Sequence, residues 1–334
     1  MNRVSGLCLL VCLALLGVSA GCGDESSSTS SSSSTQPSKS ADAGKLSVGF
    51  SQIGAESAWR IANTDSIKNE AAKRGIDLKF TDAQQKQENQ IRSLRSFISQ
   101  NVKVIAFSPV VTTGWEPVLR EIKEAGIPVI LTDRAVEVTD DSLYTCFIGA
   151  DFIEEGRRAG KAMVDVTGGK AVIVELQGTP GAAPAIDRKK GFDEIISKNA
   201  GMKVIKSQTG DFQRAKGREV MEAFLKSPEA SQINALYAHN DDMALGAIQA
   251  IEAAGKKPGV DIKIVSVDAI KDAFQAMVDG KLNCTVECNP LLGPQLFDLV
   301  EKLAKGESIP KRVVVEEGVF PQEKAKELLP TRQY

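Results

Sequence analysis

Short apolar runs alternate with stretches of helical period along most of this chain. Leu46 to Phe50 reads as a strand, and Ser57 to Arg74 as a helix that Gly75 ends. Leu78 to Thr81 is the next strand, and the helix after it carries Ile91, Leu94 and Ile98 on one stripe. Val102 to Phe107, a helix from Trp115 to Ala125 closed by Gly126, and Pro128 to Thr132 continue the series. Strands alternating with helices of this length predict a parallel sheet with right-handed crossovers.

A strand at Tyr144 to Gly149 and a helix from Ile153 to Val166 lead into a second series, with strands at Ala171 to Leu176, Val204 to Gln208, Ile233 to Ala238 and Ile262 to Val267. Similar spacing in both halves predicts an α/β chain of two doubly wound parallel-sheet lobes in tandem. Three late segments do not fit a simple tandem: a strand at Asn283 to Cys288, a helix at Leu291 to Lys305 and a strand at Arg312 to Glu316. If they return to the first lobe, three segments cross between lobes and form a hinge.

Ahead of this pattern the chain is different in kind. Arg3 gives a positive start, Leu7 to Val18 an apolar run too short to span a bilayer, and Ser19, Ala20 and Gly21 small residues before Cys22. This predicts a lipoprotein-type signal peptide at 1–21 and a lipidated Cys22; an ordinary secretory peptide cut near Ala20 is the competing reading. Residues 23–44 hold ten serines and almost no apolar side chains, so they cannot offset the entropy of ordering and read as a tether. Export to the periplasm or cell envelope, with attachment to a membrane through lipid alone, follows from this order of parts.

Composition removes several classes of function. A net charge of −2 and no basic arm leave nothing to displace counterions from a nucleic acid. His239 is the only histidine, no zinc motif is present, and neither a phosphate loop nor a dinucleotide fingerprint follows any strand, so neither cofactor nor metal is expected. A carboxylate pair for glycoside hydrolysis stays open as an alternative among so many acids. Cys146, Cys284 and Cys288 are odd in number, and the last two would lie roughly 13 Å apart on one strand, so all three read as small buried residues.

In open parallel sheets a ligand binds beyond the carboxyl ends of the strands. Those ends carry Glu56, Trp59 and Arg60, then Asp133 and Arg134; in the second series come Gln177, Arg188, Asn240 with Asp241 and Asp242, and Asp268, while Glu287 and Asn289 lie at the expected crossover. Planar polar groups plus an indole suit a neutral polyhydroxylated ligand, because each hydroxyl both donates and accepts while the ring presents an apolar face. Each residue alone has a plainer role: Asn240, Asp241 and Asp268 as helix caps, Trp59 as core, the arginines as solvated helix residues.

The same stretches carry a resemblance. The segments 48–60 (VGFSQIGAESAWR), 85–91 (QKQENQI), 109–119 (PVVTTGWEPVL), 185–192 (AIDRKKGF), 207–212 (SQTGDF) and 237–243 (YAHNDDM) are similar to those of periplasmic sugar-binding proteins of the ribose/galactofuranose type, which serve bacterial ABC importers. The resemblance implies a monomer of two lobes, 45–150 plus 290–311 and 151–289 plus 312–334, that closes on one monosaccharide, with galactofuranose first among candidates, and delivers it to a permease. Ribose, other pentoses or hexoses, and presentation to a chemoreceptor or histidine kinase remain alternatives. Carried over by motif, the sugar contacts would be Glu56, Ser57, Trp59, Arg60, Asp133, Arg134, Arg188, Asn240, Asp268 and Glu287, with Phe212 as an apolar wall.

Overall fold

The computed structural model describes residues 45–334. The expected leader, Cys22 and serine tether lie outside the described residues. The first half runs β1 (Ser47–Gln52), α1 (Ala58–Lys73), β2 (Asp77–Asp82), α2 (Gln87–Ser99), β3 (Val104–Phe107), α3 (Glu116–Glu124), β4 (Val129–Thr132) and β5 (Cys146–Gly149). The second runs α4 (Phe152–Thr167), β6 (Ala171–Gln177), α5 (Ala183–Ile196), β7 (Met202–Thr209), α6 (Arg214–Leu225), β8 (Ala235–Ala238), α7 (Asp241–Ala253), β9 (Lys263–Asp268), α8 (Lys271–Val278) and β10 (Cys284–Glu287). Then come α9 (Gly293–Ala304), β11 (Arg312–Val314), β12 (Val319–Pro321) and α10 (Ala325–Leu328).

Two six-stranded sheets result. The first has the order β11-β5-β4-β3-β1-β2 and the second β12-β10-β9-β8-β6-β7. Among the described residues every strand pairing is parallel except that of β12 against β10. Strand order reverses beside β1 in the first sheet and beside β6 in the second, which opens a crevice at the carboxyl edge of each. The chain passes between sheets three times, after β5, after β10 and after β11.

The late segments account for those crossings. Leu292, Leu296, Phe297 and Val300 of α9 share a core with Phe50, Ile67 and Ala71, so this helix packs on the first lobe. One boundary differs from expectation: the first lobe does not end at 311, because Arg312 to Val314 pairs with Phe147 to Gly149 and forms the edge of the first sheet. The valine run there reads as a single strand ending at Glu316, but pairing stops at Val314 and the chain crosses to the second sheet before β12 begins.

Helices α4 and α5 pack face to face over the second sheet, and glycine permits the approach. A Cβ on Gly156 would stand 2.2 Å from the Arg188 carbonyl oxygen, and one on Gly191 would stand 2.0 Å from that of Ile153. Bringing these two helices together places Arg188 opposite the first lobe. Cys146, Cys284 and Cys288 are all free thiols and buried. Among the described residues, no helix is long and apolar enough to cross a membrane. Gly156→Ala should force α4 from α5 and lower unfolding free energy by about 1–3 kcal/mol, read as an earlier urea midpoint; an unchanged midpoint contradicts this packing.

Candidate functional site

Between the carboxyl edges of the two sheets lies a cavity of about 280 Å³, lined by Glu56, Ser57, Trp59, Arg60, Asp133, Arg134, Pro184, Arg188, Phe212, Asn240, Asp268 and Cys288. Ten of the eleven residues expected from sequence line this one space. The exception is Glu287, whose carboxylate accepts hydrogen bonds from Arg332 at 2.9 Å, the Tyr334 hydroxyl at 3.0 Å and the Gly318 amide at 3.0 Å. Its neighbour Cys288 lines the cavity instead, because side chains alternate along an extended strand and a shift of one residue reverses the facing. Sequence reasoning missed Pro184 as well, which sits in the first turn of α5 and offers no polar signal.

In the first lobe the N-terminus of α1 sets the geometry. Ser57 caps the helix, its side chain accepting from the Arg60 amide at 3.1 Å. One turn on, the Arg60 guanidinium donates to Glu56 at 3.1 Å and to Asp133 at 2.7 Å, and it reaches Gln52 at 3.3 Å. Burial works against the Arg60 charge, but Asp133 and Glu56 outweigh it and raise the pKa. The Arg60 guanidinium also lies over the Trp59 ring, 4.6 Å from its centroid. The Trp59 indole N–H donates to the Cys288 carbonyl at 2.6 Å, which fixes the ring plane beside the cavity.

Arg134 is different. Its Nη1 donates to the Val110 carbonyl at 3.1 Å and its guanidinium lies over Phe212 at 5.3 Å, but its buried Nε has no partner. The nearest acid, Asp133, is 3.7 Å from that nitrogen and already bonded to Arg60. Burial, reinforced by the charge of Arg60, pulls Arg134 down to about 10. Glu56 Oε2 is likewise buried without a partner. Two residues that line the cavity therefore carry an unmet donor and an unmet acceptor, each costly to leave in place.

The second lobe supplies the facing set. Arg188 Nε donates to Glu155 at 2.6 Å, its Nη1 to the His239 carbonyl at 2.6 Å, and its Nη2 stands 3.5 Å from Asp268. Burial opposes this charge too, and the Glu155 carboxylate raises the Arg188 pKa in spite of it. Burial pushes the Asp268 carboxyl well above the usual carboxylate range against the pull of Arg188. Asn240 fills both roles open to it from sequence. Its Oδ1 caps α7 by accepting from the Met243 amide at 3.1 Å, and its Nδ2 donates to the Phe212 carbonyl at 3.2 Å, leaving one amide hydrogen for the cavity.

Three lining residues hold left-handed backbone conformations rare for side-chain-bearing residues: Asp133 at φ 62°, Phe212 at φ 62° and Asp268 at φ 124°. Each costs on the order of 1–3 kcal/mol, and such strain concentrates where a side chain must be aimed at a ligand. Other polar residues at strand ends turn away. Asp241 accepts from the Thr285 hydroxyl at 2.8 Å and the Ile270 amide at 2.9 Å, and Gln177 donates to Ser207 at 2.7 Å. Asp242 accepts from the Ala58 amide at 2.7 Å, a bond across the cleft onto the start of α1. His239 is fully buried; it takes a hydrogen bond from the Gly178 amide at 3.4 Å on Nδ1, its Nε2 meets Glu175 at 3.0 Å, and burial lowers its pKa, so the ring is neutral.

Asp133→Ala should leave Arg60 buried with only Glu56 as a charged partner and reduce stability by about 3 kcal/mol; denaturant titration giving a loss under 1 kcal/mol would contradict the pairing.

Comparison with known proteins adds an independent finding. Residues 48–308 match the family described as "Periplasmic binding protein domain". The galactofuranose-binding protein YtfQ of Escherichia coli is 52% identical over 280 residues, covering 83% of this chain and 88% of the relative. A crystal structure from Mycobacterium smegmatis in complex with β-D-fucofuranose is 61% identical, with a TM-score of 0.84 over 86% of this chain and 95% of that one. The periplasmic binding protein component of the arabinose ABC transporter from Shewanella sp. ANA-3, bound to α- and β-L-arabinofuranose, is 52% identical, with a TM-score of 0.84 and the same coverage of 86% and 95%.

Proposed function

The chain belongs to the periplasmic binding protein family, and from that premise we propose that it captures one furanose-form monosaccharide, galactofuranose first, between its lobes and presents it to an ABC permease. It is a sugar-binding protein of ABC-transporter type and not an enzyme. Two structures at 52% identity or more hold furanose sugars, which favours a five-membered ring here. The observation that carries the reading is the pair of unmet groups in the cavity, Arg134 Nε and Glu56 Oε2. A hydroxyl can accept from the first and donate to the second, and a neutral polyol leaves the charge balance of the cavity undisturbed.

The cavity is closely walled by residues of both lobes, which suits a single small ring more than an extended chain. Trp59 and Phe212 offer ring faces to the apolar C–H side of a sugar. The sugar contacts both lobes, so it stabilises the closed arrangement more than the open one, and closure is what the permease reads. The protein works as a monomer, held to the membrane by a lipid on Cys22; mass spectrometry of the mature N-terminus should find an acylated Cys22, and an unmodified start near Gly21 contradicts the anchor.

Titration calorimetry of the mature protein should give a saturable one-to-one isotherm with galactofuranose or arabinofuranose and weaker or no heat with pyranose-locked glycosides. Arg134→Ala and Asp268→Ala should each weaken binding by about 10²-fold, because each leaves a sugar hydroxyl or a facing charge unpaired. Heat from no sugar, or unchanged affinity in both variants, contradicts the proposal.

A further inference from the structure

The three crossovers meet at one cluster of titratable groups beside the cavity, of which Cys288 alone lines it. Glu155 comes from the first turn of α4, directly after the first crossover. Cys288 opens the second crossover and Glu317 lies in the third. A carboxylate oxygen of each glutamate and the cysteine sulfur all lie within 4.8 Å of one another. Glu155 is 1% exposed. Its Oε2 is engaged by Arg188, while its Oε1 is buried with no partner. Glu317 Oε1 accepts from the Asn289 amide at 3.1 Å, which ties the third crossover to the second.

Charge decides what completes this cluster. Two carboxylates so close, Glu155 fully buried and Glu317 half-buried, do not both ionise readily unless cations match them. Arg188 of α5 is the cation in direct contact, and it is shared with Asp268 at the end of β9. Arg312 of β11 faces Glu317 from farther off, and its guanidinium donates to the Ala150 carbonyl. Arg158 of α4 donates to the Glu317 carbonyl oxygen, not to its carboxylate. Cys288 adds no charge, because burial drives its thiol well above the ordinary range. A proton on Glu317 removes the conflict and supplies the missing donor for Glu155 Oε1. Burial and the neighbouring Glu155 carboxylate raise Glu317 to about 10.

We propose that Glu317 is a positioning residue that takes up a proton as the lobes close, holding Glu155 and, through it, Arg188 in the geometry the sugar requires. The proposal rests on the reading that a sugar closes the lobes. Opening moves the crossovers and admits water, and a hydrated glutamate releases its proton near pH ~4.3. The closed value is the higher of the two. The stabilisation of the closed form is therefore complete below the open-state value, declines through neutral pH, and is gone once pH passes the closed-state value. Sugar affinity should fall by up to about tenfold per pH unit between pH 6 and 8.

Calorimetry with the furanose in phosphate and in Tris, whose ionisation enthalpies differ, reads proton uptake directly. The expected result is close to one proton taken up per sugar bound by the unaltered protein. Glu317→Gln keeps an N–H donor for Glu155 but nothing that titrates; it should bind within a few-fold of the parent near pH 4 and more tightly than the parent at pH 7, with uptake near zero and a flat pH profile. Sugar binding with an enthalpy independent of buffer overturns the proposal, as does Glu317→Gln with uptake intact. One zinc bound per chain and lost in Cys288→Ser also overturns it, since a metal would then complete Glu155. An absence of sugar binding in either buffer overturns the sugar-capture reading on which it rests.

Discussion

A charge removed from water must be matched where it sits, and this requirement organises the molecule. Arg60 is matched by Glu56 and Asp133 within the first lobe, and Arg188 by Glu155 within the second. Each lobe thus brings its own neutralised, hydrogen-bonded set to the cleft before any ligand arrives. Preorganised groups of this kind can bind a neutral polyol without reorganisation, and they reject a charged ligand that would unbalance them. Arg134 is the exception, and its unmet Nε is where a ligand hydroxyl has most to offer.

The fold delivers these groups because doubly wound sheets present their strand ends on one edge, and two such sheets face each other. Strain at Asp133, Phe212 and Asp268 aims the side chains inward at a backbone cost that the surrounding cores sustain. Bonds across the cleft then hold the lobes together: Asp242 on the Ala58 amide at 2.7 Å, and the Thr112 amide on the Gly181 carbonyl at 2.9 Å. These bonds are polar and few, so a modest differential affinity is enough to shift the balance between open and closed. The crossovers are the one place where motion of the lobes must be absorbed, and Glu155, Cys288 and Glu317 converge there.

Much of this was legible in the sequence, for a physical reason. Hydrophobic period fixes strands and helices, and parallel topology then brings residues such as Asp133 and Asn240, remote in sequence, to a common edge. What was illegible depends on facing and on third partners. Glu287 and Cys288 differ by one place, and only the turn of the chain onto Arg332 and Tyr334 decides which points inward. Asp241 looks no different from Asn240 in the sequence, yet Ser266 and Thr285 capture it inside the second lobe. Glu155 sits in an ordinary amphipathic helix and Glu317 in an ordinary loop; their encounter is a product of the three crossings, which no local pattern encodes.

The most direct test is a crystal structure of the protein grown with galactofuranose. The account predicts one ring between Trp59 and Phe212, with one hydroxyl accepting from Arg134 Nε and another donating to Glu56 Oε2. A sugar bound outside this cavity, or bound within it while those two atoms stay unpartnered, would contradict the account.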